Sequence, residues 1–185
     1  MKHFKILYII AAVVLVAVVW TASYINVNKR FPQPEEEIYE KGEWVEISDG
    51  VRVKGTGIEF CSYEEYRERY NIKSDSRISN LSYILVHTNI NNTSSKAVNA
   101  WDIDTTTNLA IYPAGYSNQG MIAEQDTIVQ PGESKDITFV YNVTNALIQP
   151  GKREKVLSEN IYLCFKAYPV RQAIVFRGID IKNVI

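Results

Sequence analysis

The sequence predicts a mainly β chain: an antiparallel β-sandwich with one short inserted helix, preceded by a single N-terminal transmembrane helix. Three observations lead there. An uncharged apolar run opens the chain, most of the remainder alternates with period two between turn signals, and one stretch carries a helix-start signature. The length of 185 residues leaves room for one domain beyond the helix. A hydrophobic content of 46% excludes a mostly disordered chain.

The apolar run, Ile6 to Ile25, is 20 residues without a charge. As a helix rising ~1.5 Å per residue it spans ~30 Å, the thickness of a bilayer's hydrocarbon core. Lys2 and Lys5 flank one end, Lys29 and Arg30 the other, and Tyr8, Trp20 and Tyr24 sit where interfacial rings are favoured. A cleaved signal peptide competes with an uncleaved anchor, because Thr21-Ala22-Ser23 offers a weak cleavage site. The flanking Lys and Arg tie in number, so the short basic leader carries the expectation that the C-terminal domain lies outside the cytoplasm. The chain is thereby organised as a cytoplasmic leader over 1–5, a transmembrane helix over 6–25, a linker over 26–43 and an extracytoplasmic domain over 44–185.

In the linker, Phe31-Pro32-Gln33-Pro34 is stiff and extended, and Glu35-Glu36-Glu37 reads as a solvated charge run. Leader and linker hold equal numbers of basic and acidic side chains, so the domain keeps the net charge of −1 of the whole chain. That balance lacks the positive excess that steers polyanions, and no nucleic-acid partner is expected.

Within the domain, Val51-Arg52-Val53-Lys54 alternates, Gly55-Thr56-Gly57 interrupts, and Ile58-Glu59-Phe60 resumes. From Leu81 to Ile90, Ile84, Val86 and Ile90 share one face while Tyr83, Leu85 and His87 share the other, the pattern of a central strand covered on both sides or of one with a half-buried reverse face. Pro131-Gly132-Glu133 is a turn, followed by Ile137, Phe139, Tyr141 and Val143 at strict alternation. Ile161, Leu163, Phe165 and Ala167 repeat the pattern, Pro169 ends it, and Ala173 to Phe176 closes the sheet. About seven short strands between turn signals read as a β-sandwich.

The helix begins at Ser62-Tyr63-Glu64-Glu65, a capping box, with Glu65 and Arg69 set to pair four residues apart. Tyr63, Tyr66 and Tyr70 share one face, expected to pack on the sheet rather than form an aromatic binding surface. A second short helix is expected between Thr144 and Ser158, divided by Pro150-Gly151.

The order of these features resembles a known family. Phe31-Pro32-Gln33-Pro34, Gly42-Glu43-Trp44-Val45, a Glu/Tyr-rich helix, a strand ending in Asn91-Asn92-Thr93, the Pro131-Gly132-Glu133 turn and Tyr168-Pro169-Val170 resemble the Gram-positive domain-of-unknown-function family numbered 5028. The resemblance implies a bacterial, membrane-anchored, immunoglobulin-like sandwich facing outward, and it brings no catalytic residues. The pair Cys61 and Cys164 is not part of that pattern.

Both cysteines share a strand face with a charged residue, Glu59 and Lys166 respectively, so both point away from the apolar face. Two unreactive thiols are expected; a disulfide between Cys61 and Cys164, which needs neighbouring strands, is the alternative. His87 is the domain's lone histidine, which leaves no serine triad without it, and no Cys-x-x-Cys or His-x-x-x-His spacing marks a metal site. Asp102 and Asp104 lack the continuation of a calcium loop, and no glycine-rich loop cradles a phosphate. No cofactor, metal or catalytic residue is therefore expected.

The expected function is non-catalytic: binding of a surface protein or envelope ligand by a membrane-anchored domain. The contact candidate is the loop Ile111 to Tyr116, with Tyr112 and Tyr116 flanking Pro113, Ala114 and Gly115. A structural spacer is the alternative, and a carboxylate-based envelope hydrolase a more distant one, since paired carboxylates have no local spacing rule.

Overall fold

The computed structural model describes residues 2–72, 81–104, 106–112, 115–117 and 120–179, with only the backbone described at 2–5, 7 and 116. The chain divides into two compact units, Met1–Glu35 and Glu36–Ile185.

The first unit is helix α1, Lys2–Arg30. Of this helix, Tyr8–Arg30 is long and apolar enough to cross a membrane, with a mean hydropathy of 2.2. Thr21 donates its hydroxyl to the Ala17 carbonyl at 2.8 Å, which pairs the polar atom inside the helix. Trp20 and Tyr24, one turn apart, stack at 5.9 Å between ring centroids. The helix runs five residues beyond the predicted end at Ile25, because nothing in Asn26 to Arg30 breaks it and Lys29 with Arg30 suit its C-terminal dipole. It stops where Pro32 disfavours helix in Phe31.

The second unit is built, in chain order, from β1 (Glu35–Glu40), β2 (Trp44–Ser48), β3 (Val51–Ser62), α2 (Tyr63–Arg69), β4 (Leu81–Asn92), β5 (Val98–Asn99), α3 (Ala100–Asp104), β6 (Asn108–Ile111), β7 (Gly115–Ser117), β8 (Gly120–Ile122), β9 (Ile128–Val129), β10 (Ser134–Thr144), α4 (Arg153–Leu157), β11 (Asn160–Lys166) and β12 (Val170–Arg177). One five-stranded sheet runs β1-β12-β11-β6-β7, the other β2-β3-β4-β10-β8, and β5-β9 form a separate ribbon. The expected sandwich is thus present as two sheets. The predicted linker shrinks, because residues 26–30 belong to α1 and the acidic run begins β1.

Alternation explains the packing. Ile84, Val86 and Ile90 of β4, Ile137, Phe139, Tyr141 and Val143 of β10, Leu163 of β11 and Ile174 and Phe176 of β12 meet in one core between the sheets. Burying each such side chain stabilises by roughly 1.5–3 kcal/mol. β4 is central, paired antiparallel to β3 and β10, and its reverse face is also buried at Tyr83 and Leu85. Gly55 and Gly57 do not end the strand: a bulge between them keeps β3 continuous. Glycine is required at 55, where an added Cβ would sit 2.7 Å from Cζ of Phe176 in the facing sheet.

Several local expectations change. β12 does not close its sheet, because β1 pairs outside it. The β1–β12 contacts advance together, Glu36 with Arg171, Glu37 with Gln172 and Glu40 with Arg177, the order of a parallel pair. Arg69 binds Glu59 on β3 rather than Glu65, whose carboxylate is taken by the Ser62 amide at 2.7 Å in the capping box. The short helix expected between Thr144 and Ser158 is α4, on the C-terminal side of Pro150, which opens a 3-10 turn, Pro150–Lys152, leading into it.

Candidate recognition face

Alternation along β6, β11 and β12 fixes what the first sheet presents outward. Cys164 lies between Asn108 and Ala173, and Tyr162 lies between Ala110 and Val175. Ala110, Cys164 and Ala173 are small and buried and form a floor against which Tyr162 packs. No helix among the described residues packs across β11 and β12 as α2 packs across β3 and β4.

Over that floor stand longer side chains. The Arg171 guanidinium lies 5.1 Å above the Tyr162 ring centroid and binds Oε1 of Glu36 at 2.9 Å. Among the described residues, its Nη2 is buried without a hydrogen-bond partner, and so is Oδ1 of Asn108. Tyr112, 49% exposed, meets Tyr162 edge to face at 6.3 Å. Glu36, Tyr112, Glu159, Asn160, Tyr162 and Arg171 line an open groove of about 450 Å³. Burial pushes the Cys164 thiol above its ordinary range, against the pull of Arg171.

On the second sheet, α2 covers the outer face where it crosses β3 and β4, while Trp44 of β2 stays 36% exposed under Arg52 and Lys54. Tyr63 and Tyr66 of α2 are buried with Tyr70 against Cys61, Tyr83, Leu85 and Val140. Tyr66 meets Tyr83 at 4.3 Å and Tyr70 at 4.8 Å. The tyrosine stripe of α2 therefore packs on the sheet, as its spacing predicts. Beside it, His87 places Nε2 3.0 Å from Oε1 of Glu59 and Nδ1 3.2 Å from Oγ1 of Thr138. Burial raises the Glu59 carboxyl, but the bonds from Arg69 and His87 outweigh it and hold the group below the usual carboxylate range. Hydroxyl, imidazole and carboxylate stand in line here, yet Thr138 is buried in mid-strand and its amide is held by Glu124 at 2.8 Å. A nucleophile must reach its substrate, and this hydroxyl instead ties β10 to β4 and β3.

The remaining predicted residues disperse. Cys61 and Cys164 are free thiols on the outer faces of opposite sheets. The sheets alone stand roughly 10 Å apart, beyond the ~7 Å Cα limit of a disulfide, so the alternative of a disulfide falls and the two remain separate thiols. Burial pushes the Cys61 thiol up to about 12, which leaves it unreactive. Asp102 is exposed and Asp104 buried, so α3 does not present them together. No cluster of three or more His, Cys, Asp and Glu side chains able to hold a metal occurs among the described residues. In the Ile111–Tyr116 loop, Tyr112 joins the groove; Pro113, Ala114 and the Tyr116 side chain lie outside the described residues.

Sequence reasoning missed Tyr162, Arg171, Glu36 and Glu159. Period two in β11 already places Tyr162 on the Cys164 face, which was a usable signal. Glu36 and Arg171 are 135 positions apart, and nothing local announces their pairing.

These features define a class: a two-sheet β-sandwich domain with a short helix packed on one outer face and an open groove on the other, in a chain that also carries a long N-terminal apolar helix. The chain belongs to the family described as Domain of unknown function (DUF5028), which matches residues 36–172. Among solved structures it is similar to an uncharacterized β-sandwich protein from Clostridium difficile 630, at 18% identity over 78% of this chain and 97% of that one, with a TM-score of 0.49. It is also similar to a conserved hypothetical protein from Bacillus anthracis, at 12% identity over 68% and 87% of the two chains, with a TM-score of 0.40. No curated protein matches the chain.

Proposed function

We propose that this protein is a membrane-anchored, extracytoplasmic, non-catalytic recognition domain of immunoglobulin-like topology. α1 is read as an uncleaved anchor, with Tyr8, Trp20 and Tyr24 at the membrane interfaces. The strand order supports the topology: β3-β4-β10-β8 corresponds to an A-B-E-D sheet, and β12-β11-β6 to G-F-C. The observation that carries the function is the contrast between faces. One is covered where the α2 tyrosines pack, while the other leaves Tyr112 half exposed in a groove beside Tyr162 and Arg171, the residue types that dominate recognition surfaces.

A hydrolase reading draws on Glu36 and Glu159, which line the same groove. Glu36 is engaged by Arg171 and Glu159 is exposed, the opposite of the apolar setting that keeps a general acid protonated. Binding is therefore favoured.

The test is a photo-crosslinking side chain placed at Tyr112, or at Trp44 on the other sheet, in the full chain on wall-digested cells. A membrane-impermeant maleimide on a Gln130→Cys reporter, in a Cys61→Ser/Cys164→Ser background, reads sidedness in the same cells. Adducts from position 112 but not 44, with the reporter labelled on intact cells, are expected. A reporter labelled only after permeabilisation, or no adduct from position 112, overturns the proposal; the second result favours the spacer.

A further inference from the structure

We propose that the groove over β11 and β12 binds an uncharged saccharide; the inference rests on the reading of this face as the recognition face and names its ligand class. Charge decides the first step. Of the six residues lining the groove, two are carboxylates, Glu36 and Glu159, and one is a cation, Arg171, already engaged by Glu36. A polyanion would meet two like charges for one shared cation. A cation would gain little, because Glu36 is already paired to Arg171 and an exposed carboxylate such as Glu159 forms only a weak, water-screened pair. A ligand without net charge gives up little by comparison.

The chemistry of the lining decides the second step. Tyr112 and Tyr162 stand at 87° to each other, so the half-exposed Tyr112 ring forms an aromatic wall braced by the Tyr162 ring. Arg171 stacked on Tyr162 holds that brace in place, and a site ordered beforehand loses less freedom on binding. Around the rings are two carboxylates that only accept, a guanidinium that only donates, and the Asn160 amide that does both. A pyranose ring matches this set: its C–H face lies on a tyrosine, and its adjacent hydroxyls donate and accept along one rim. The volume of about 450 Å³ falls within the range of small-ligand sites and holds a short run of sugar rings.

A protein partner fits less well. The exposed large apolar side chains of the second unit, Trp44, Trp101, Tyr112 and Ile128 among them, sit singly on separate elements. A protein interface is built around a contiguous apolar centre.

The experiment uses the full chain in lipid nanodiscs and saturation-transfer NMR with neutral tetrasaccharides: α-1,4- and β-1,4-linked glucose and β-1,4-linked N-acetylglucosamine. Inorganic polyphosphate and an uncharged tetrapeptide serve as the other probes. At least one tetrasaccharide is expected to bind, with Tyr112→Ala weakening it about tenfold, or ~1.4 kcal/mol. Glu159→Gln is expected to weaken it less, and Tyr168→Ala, exposed outside the groove, not at all. Circular dichroism of each variant checks that it folds. Silence from all three sugars, or binding unmoved by Tyr112→Ala, overturns the inference. Binding of polyphosphate or peptide alone overturns the ligand class while leaving the recognition face standing. Cleavage of a bound sugar supports the ligand class and overturns the non-catalytic reading.

Discussion

The two outer faces of the sandwich hold similar residues and treat them oppositely. Each buries one cysteine beside tyrosines and an ion-paired arginine: Cys61 with Tyr66, Tyr83 and Arg69 on one, Cys164 with Tyr162 and Arg171 on the other. On the first face a helix of seven residues brings its tyrosines down onto the sheet. On the second, Tyr162 lies over small residues and Tyr112 stays half exposed. Composition does not separate a core from a binding surface. What separates them is whether an element crosses the sheet.

The largest test of that contrast is Tyr66→Ala. Tyr66 is 5% exposed and touches both Tyr83 and Tyr70, so truncation opens a cavity under α2. A loss of about 3 kcal/mol is expected in chemical denaturation. Tyr112→Ala on the open face should cost less than ~1 kcal/mol, since half of that ring already meets water. Equal losses would end the distinction between the faces.

Next in size is Asp104, at the end of α3. Asp104 is 6% exposed, its Oδ1 has no hydrogen-bond partner among the described residues, and its carboxylate packs where a Cβ on Gly120 would overlap it. Burial raises the group from 3.8 to about 6. With the folded value above the unfolded one, the folded state holds a proton that the unfolded chain has released. The associated stability is present below pH ~4 and is lost as pH rises through ~6. Asp104→Asn should therefore gain on the natural chain between pH 5 and 7.5, by about 1–2 kcal/mol at the upper end after discounting for solvent. Parallel pH profiles would show that Asp104 ionises freely and that α3 is not closed against β8.

Much of this was legible in the sequence, for identifiable reasons. The α1 span, the buried faces of β4 and β10 and the capping box of α2 are set by residues within a few positions of one another, so periodicity reports them. The open face is not local. It requires β1 to reach β12, and a run of glutamates looks solvated until Arg171 and Gln172 lie opposite it. The cysteines show the limit most clearly: alternation correctly turned both away from the core, but only topology puts them on opposite sides of the sandwich.

A third test separates α2 itself from its packing. Ser62→Ala removes the hydroxyl that accepts from the Glu65 amide at 3.2 Å, and a lost N-cap costs about 1 kcal/mol. If α2 is held by its tyrosines, as its burial indicates, the loss stays near that figure and hydrogen exchange across α2 quickens only in the first turn. A loss approaching that of Tyr66→Ala would mean that the cap, and not the aromatic contact, keeps the face closed.

The smallest expected effect sharpens the comparison from the open side. Glu36→Gln removes the ion pair with Arg171, in which the glutamate is 58% exposed and the arginine 18%. A pair with so exposed a partner is worth about 0–1 kcal/mol, and the amide can still accept from Nη1. Stability should therefore fall by less than ~1 kcal/mol in urea denaturation. The guanidinium, stacked on Tyr162, should stay in place. A loss well above 1 kcal/mol would mean that β1 seals this face through Arg171, as α2 seals the other. The groove would then be a seam between strands and not a place for a ligand.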